Sequence, residues 1–224
     1  MCATFFSLEF SEYAVYNDIE NGLKVAALAE KNVVLIITRP ACSSCKSLKA
    51  QVLTNPEFYS MVRKNCIVLV AEAEKDYYTR YPFEIFLNPE ITEYETLNYF
   101  DLSVKKLRIS SVPRTFLLNK QFEIVGSVER YSDYETYYSS LEGILALIDS
   151  VPIRTLKAIS EKEESLLTKT LPNVKTMKFP DFVQNIYMTD PYGYYILIDT
   201  TVQEVQKFTE SYPAVPLNLF IREK

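Results

Sequence analysis

The chain has 224 residues, 48% of them hydrophobic and 24% charged, with a formal net charge of −5 and 4 cysteines. That size supports a full core and somewhat more than one minimal domain, and the composition is that of a globular chain, not a disordered or fibrous one. The acidic balance argues against nucleic acid, whose phosphates need clustered Lys and Arg, and the cysteines are too few for a disulfide scaffold.

Only 4 Gly stand against 17 Tyr and 13 Phe, so turns must use other residues and many large rings must pack or stack. The start, Met1-Cys2-Ala3-Thr4-Phe5-Phe6, lacks a basic segment followed by a long apolar one, so no export signal is read there. The expected compartment is the cytoplasm, or the periplasm or secretory route if such a signal has been removed. The most apolar stretch, Val33 to Thr38, is far shorter than the roughly 18 residues of a membrane span, and none is expected.

Apolar positions at Ala14, Val15, Ile19, Leu23, Ala26, Ala27 and Leu28 predict an amphipathic helix within Glu12 to Glu30. Asn32 to Thr38 is a continuous β-branched run, as in a strand buried on both faces. Ser43 to Lys64 is rich in helix formers and is interrupted at Asn55-Pro56. Cys66 to Val70 predicts a second buried strand, Asp101 to Leu107 a helix, and Arg114 to Leu118 a third strand. Phe122 to Val128 pairs with it through Asn119-Lys120-Gln121, and Tyr134 to Ile148 closes the unit as a helix. Right-handed βαβ units plus one hairpin make an α/β fold: a central four-stranded mixed sheet flanked by helices.

Val151-Pro152 is the expected boundary between a first domain, 1–150, and a C-terminal α/β extension, 151–224, because helices rarely continue through the residue before proline. The extension reads as a helix over Ile153 to Thr170, a strand over Tyr194 to Thr200, a helix over Val202 to Ser211 and a strand over Val215 to Ile221. It carries nine basic and nine acidic residues, so the net acidity belongs to the first domain.

Cys42-Ser43-Ser44-Cys45 follows the first buried strand directly and opens a helix. At that junction two cysteines can close a small disulfide ring without backbone movement. Cys42 would lie where unpaired backbone N–H groups and the helix dipole favour a thiolate, the attacking species. Cys45, one turn on, would resolve the mixed disulfide. Arg39 and Lys46 flank the pair and either help to hold the thiolate or are solvated surface residues. Ser43 and Ser44 suit a helix start and could also reach sulfur, although capping alone explains them.

In order and spacing, Val33 to Ile37, then Pro40-Ala41-Cys42-Ser43-Ser44-Cys45-Lys46, then Ile109-Ser110-Ser111-Val112-Pro113-Arg114-Thr115-Phe116-Leu117-Leu118, resembles the thioredoxin superfamily over roughly residues 12 to 150. The resemblance implies that Pro113 is cis and faces the cysteines, and that Val112 offers its backbone to an extended substrate. It implies a disulfide oxidoreductase whose substrates are protein thiols and disulfides, served by a reductase or other electron donor. Three departures place the chain among diverged relatives, such as bacterial thiol-disulfide interchange domains. Ala41 stands where thioredoxins place tryptophan, Ser43-Ser44 replaces Gly-Pro, and Ile36 occupies the position of a buried acid. With no His in the chain, water or the thiols themselves must carry the proton.

Between about residues 77 and 100 an addition to a minimal thioredoxin interleaves Tyr77, Tyr78, Tyr81, Phe83, Phe86, Tyr94, Tyr99 and Phe100 with acidic residues. These rings either pack the insertion down or face a substrate or partner. Cys66 reads as an inert buried thiol and Cys2 as incidental. Neither forms a second tight pair, so no metal and no cofactor are expected. The alternative to an enzyme is a binding or adaptor module, with the insertion and extension recruiting a partner and the dithiol a vestige or a redox sensor.

Overall fold

Strands without a polar face need a packed layer on both sides, and the chain supplies two. The computed structural model describes residues 13–148, 153–185, 195–211 and 218–222. Its first part runs β1 (Ala14–Tyr16), α1 (Ile19–Leu28), β2 (Asn32–Thr38), α2 (Ser43–Gln51), α3 (Pro56–Val62), β3 (Cys66–Glu72), β4 (Tyr78–Tyr81), β5 (Glu95–Asn98), α4 (Tyr99–Asp101), β6 (Arg114–Leu118), β7 (Ile124–Val128) and α5 (Tyr134–Leu145). Its second part runs β8 (Thr155–Ile159), α6 (Glu161–Thr170), β9 (Val174–Lys178), α7 (Phe179–Asn185), β10 (Tyr195–Asp199), α8 (Val202–Glu210) and β11 (Asn218–Arg222). The expected boundary at Val151-Pro152 and Cys2 lie outside the described residues.

The central sheet has the order β1-β3-β2-β6-β7. β2 is parallel to β3 and antiparallel to β6, so the sheet is mixed. Every residue of β2 is buried. Val33, Leu35 and Ile37 face α1 through Leu23 and Ala26. Val34 and Ile36 face α2, α3 and α5 through Leu48, Phe58 and Leu141. The four expected strands are present, and β1 joins them as a fifth. Ala14 and Val15 had been expected in the opening helix. Instead Asn17 turns the chain at φ 50°, Asp18 caps α1 on the Asn21 N–H, and residues 14–16 pair in parallel with β3. The helix expected before Pro113 is short α4, which runs into a π-helical turn at Leu102–Lys106.

The insertion folds as the antiparallel hairpin β4–β5, enclosing a 3-10 turn at Phe83–Phe86. Its rings divide between the two expected roles: Phe83 and Tyr99 are buried, whereas Tyr78 and Tyr94 are 58% and 47% exposed.

The second sheet, β8-β11-β10-β9, is parallel throughout. The helix expected over Ile153 to Thr170 is corrected here. Residues 155–159 form β8 beside β11, and α6 begins only at the capping box of Ser160 and Glu163. β9 and α7 were not expected. Along β10, Ile196 and Ile198 face α7 and α8, whereas Tyr195 and Leu197 join Leu167, Leu171 and the α1 residues in one core shared with the first sheet. Polar links reinforce the join: buried Lys31 Nζ donates to the carbonyls of Lys64 (2.7 Å) and Ile153 (3.3 Å), and Thr155 Oγ1 donates to the Ala29 carbonyl at 2.8 Å.

Candidate active site

β2 ends at Thr38, and a short loop carries the chain into α2 with Cys42 in extended backbone at the N-cap. A cap position needs a side-chain acceptor for the orphan N–H groups of the first turn. The Cys42 sulfur takes that part, accepting the Cys45 backbone N–H at 3.1 Å, with Ser44 Oγ 3.3 Å away. The first turn of α2 contains no acidic residue. The helix mouth therefore directs its partial positive charge towards the Cys42 sulfur with no carboxylate in that turn to offset it.

Cys42 and Cys45 are joined as a disulfide with a Cα–Cα distance of 5.2 Å. Their surroundings differ: Cys42 is half-buried, whereas Cys45 has 0% exposure. Cys45 is thus enclosed, and Cys42 is the more open of the two residues.

Opposite the pair, β6 lies antiparallel to β2 with Arg114 beside Ile37, which brings the preceding residues up to the end of β2. The Val112–Pro113 peptide bond there is cis. The Val112 carbonyl oxygen is 3.6 Å from Cys42 Sγ. Val112 is half-buried and Pro113 buried. The structure thus brings Cys42, Cys45, Val112 and Pro113 to one point from segments 70 residues apart.

Arg39 and Lys46 are exposed beside the pair. The Arg39 guanidinium lies 5.5 Å from the centre of the Phe100 ring, and no described contact joins Arg39 or Lys46 to a sulfur. In the sequence Phe100 is one ring among many in the insertion. No local signal in the sequence ties it to Arg39, from which β3, β4 and β5 separate it in the chain.

Cys66 stands apart from this chemistry. It pairs with Asn32 at the opening of the strands, whereas the dithiol follows their far end, where Thr38 pairs with Glu72. It is free and buried, and burial pushes its thiol up to about 12. Among the described residues no group of three or more His, Cys, Asp or Glu could hold a metal ion, and no helix is long and apolar enough to cross a membrane.

A buried strand delivering a dithiol to a helix N-terminus, opposite a proline turn of the same sheet, defines a thioredoxin-like protein. The family model that matches, over residues 14–119, is described as thioredoxin-like. A search among curated proteins found no match. Among solved structures, the oxidised C-terminal domain of Neisseria meningitidis DsbD is 15% identical, with 56% of this chain and 91% of that chain covered and a TM-score of 0.39. A thioredoxin from Thermus thermophilus is 14% identical, covering 59% and 88%, at 0.44. Spinach chloroplast thioredoxin f in its short form is 18% identical, covering 65% and 97%, at 0.41. All three are distant likenesses.

Proposed function

We propose that the protein is a thiol-disulfide oxidoreductase that acts on protein disulfides through Cys42 and Cys45. The observation that carries this reading is the Cys42 sulfur itself: on the more open residue of the pair, held by the Cys45 N–H, and 3.6 Å from the Val112 carbonyl. As a reductant, the Cys42 thiolate bonds to one sulfur of a client disulfide while that S–S bond breaks, and the client's other sulfur leaves as a thiolate. Cys45, losing its proton to water, then bonds to Cys42 Sγ as the mixed disulfide breaks. Two electrons pass to the client, and the protein is left with its Cys42–Cys45 bond. Run backwards, the same steps oxidise a client dithiol. A thiol-bearing electron donor, or in the reverse direction a disulfide-bearing acceptor, must restore the starting form.

In this reading Val112 lends its backbone to an extended client strand beside Cys42, and Pro113 holds that backbone in position. Thiolate stabilisation rests chiefly on the N–H groups at the mouth of α2, with Arg39 and Lys46 adding positive potential at longer range. Insulin reduction in the presence of dithiothreitol, together with a redox titration of the pair, tests the reading. The wild type is expected to catalyse and Cys42→Ser to lose activity. Full activity in Cys42→Ser, or a pair that never oxidises across accessible potentials, overturns it.

A further inference from the structure

Phe100 ties the insertion to the rim of the dithiol. Its backbone N–H donates to the Glu74 carbonyl at 3.1 Å, which seats its half-buried ring where β3 has ended and the insertion begins. Two cations converge on that ring: Arg39, with its guanidinium carbon at 5.5 Å from the centroid, and Lys75, with Nζ at 5.8 Å. Attraction to the π-face explains why both long side chains settle there. It does not neutralise them.

Both residues are exposed. Glu74 and Asp76 flank Lys75 in the chain, yet no described ion pair joins a carboxylate to Arg39 or Lys75. Each keeps its charge, so both add positive potential beside Phe100, to which an anion is drawn. Arg39 is also tied to the dithiol loop through its backbone, since its carbonyl accepts the Cys42 N–H at 3.3 Å. In a chain of net charge −5, two cations with no described carboxylate partner meet at one ring, and one of them, Arg39, precedes Cys42 in the loop between β2 and α2.

Resting on the exchange reading above, we infer that Arg39 and Lys75, gathered on Phe100, select client polypeptides that carry an acidic side chain next to the reacting cysteine. The insertion would then set client preference while the dithiol performs the exchange. This role is distinct from tuning the sulfur, because a change in the Cys42 thiolate alters the rate with every disulfide, whereas charge selection alters the ratio between clients.

The test uses two synthetic peptides, each closed by one disulfide and identical except for Asp or Lys beside each cysteine. Dithiothreitol supplies the two electrons per turnover and ends as its cyclic disulfide. Rates are divided by the uncatalysed rate of each peptide with dithiothreitol alone, which removes the peptides' intrinsic difference. At low salt the wild type is expected to favour the Asp peptide by about tenfold, with the preference shrinking as salt screens the site. Arg39→Gln with Lys75→Gln should bring the ratio towards one, and Arg39→Glu with Lys75→Glu should invert it. A wild-type ratio near one, or a ratio that both double variants leave unchanged, overturns the inference. Turnover of neutral 2-hydroxyethyl disulfide is measured alongside. If the wild type fails with that reagent as well as with both peptides, the exchange reading itself falls. If it reduces that reagent and shows no charge preference, only the selectivity falls.

Discussion

The hydroxyl of Tyr99 accepts a hydrogen bond from the backbone N–H of Ile19 at 2.9 Å and donates to the Asn17 carbonyl at 3.1 Å. One buried ring therefore satisfies an orphan donor at the start of α1 and a carbonyl in the turn before it, and it fastens the insertion to the sheet's helical layer. Burial pushes the hydroxyl up to about 12, so it stays a donor across the working range of pH. Tyr99→Phe keeps the ring but leaves both backbone groups without this partner. The expected loss is about 1–3 kcal/mol in urea unfolding, with faster hydrogen exchange at Ile19.

Much of the central sheet could be read locally. β2 declares itself through seven consecutive buried positions, and Asn55-Pro56 divides α2 from α3 because Asn55 caps and Pro56 starts the second helix. The misreadings share a cause in long-range pairing. β1 has three residues, too few for a period, and owes its existence to β3 more than fifty residues later. β8, Thr-Leu-Lys-Ala-Ile, contains good helix formers and becomes a strand because β11 lies beside it. β9 is an edge strand with three of its five side chains exposed, so it has no hydrophobic signature to find. At the site, the cysteine spacing and strand-to-helix placement were legible. The approach of Val112 came only through the family resemblance, and the Arg39–Phe100 contact had no signal at all.

Gly22 tests how closely α1 lies on the sheet. A Cβ added there would stand 2.3 Å from Leu69 Cδ2, and Leu69, on interior strand β3, is 1% exposed. Alanine in place of glycine favours a helix by about 1 kcal/mol, whereas forcing a methyl group into a packed core costs about 1–3 kcal/mol. Gly22→Ala is therefore expected to be destabilising on balance despite its better helix propensity. In a Leu69→Ala background the clash is removed, and the same substitution should become neutral or stabilising. Equal effects in the two backgrounds, measured as a double-mutant cycle, would count against direct contact.

Lys31 predicts a particular pH dependence. Burial is the main cause that lowers its ammonium from 10.5 to about 8, while its donors stay on the Lys64 and Ile153 carbonyls. Between about pH 8 and 10.5 the unfolded chain holds this proton more tightly than the folded one. Stability from this group therefore rises with pH across that window and is flat below it. Cys66 acts in the opposite sense at higher pH, since its raised thiol keeps a proton that the unfolded chain gives up above about 9. Comparing the wild type with Lys31→Met isolates the lysine: the stability difference, wild type minus variant, should grow between pH 7.5 and 9 in urea titrations at matched salt. A difference that stays constant or shrinks would mean that Lys31 is not held in a depressed state.

Cys66 separates structural from reactive sulfur in the same molecule. It is fully enclosed in the core with Val68, Phe58 and Tyr59, and it lies at the opposite end of β3 from the residues next to the dithiol. After reduction, an alkylating reagent at neutral pH should label Cys42 rapidly. It should leave Cys66 unmodified until the protein unfolds, because a thiol pushed up to about 12 offers almost no thiolate and no path to it. Cys66→Ala should keep the redox midpoint of the Cys42–Cys45 pair and its insulin-reduction rate, while losing about 1 kcal/mol of stability from the deleted buried atom. Peptide mapping of the alkylated native protein decides the first point. Rapid labelling of Cys66, or a midpoint that moves in Cys66→Ala, would place this sulfur in communication with the active pair and contradict the division of roles that the strand register implies.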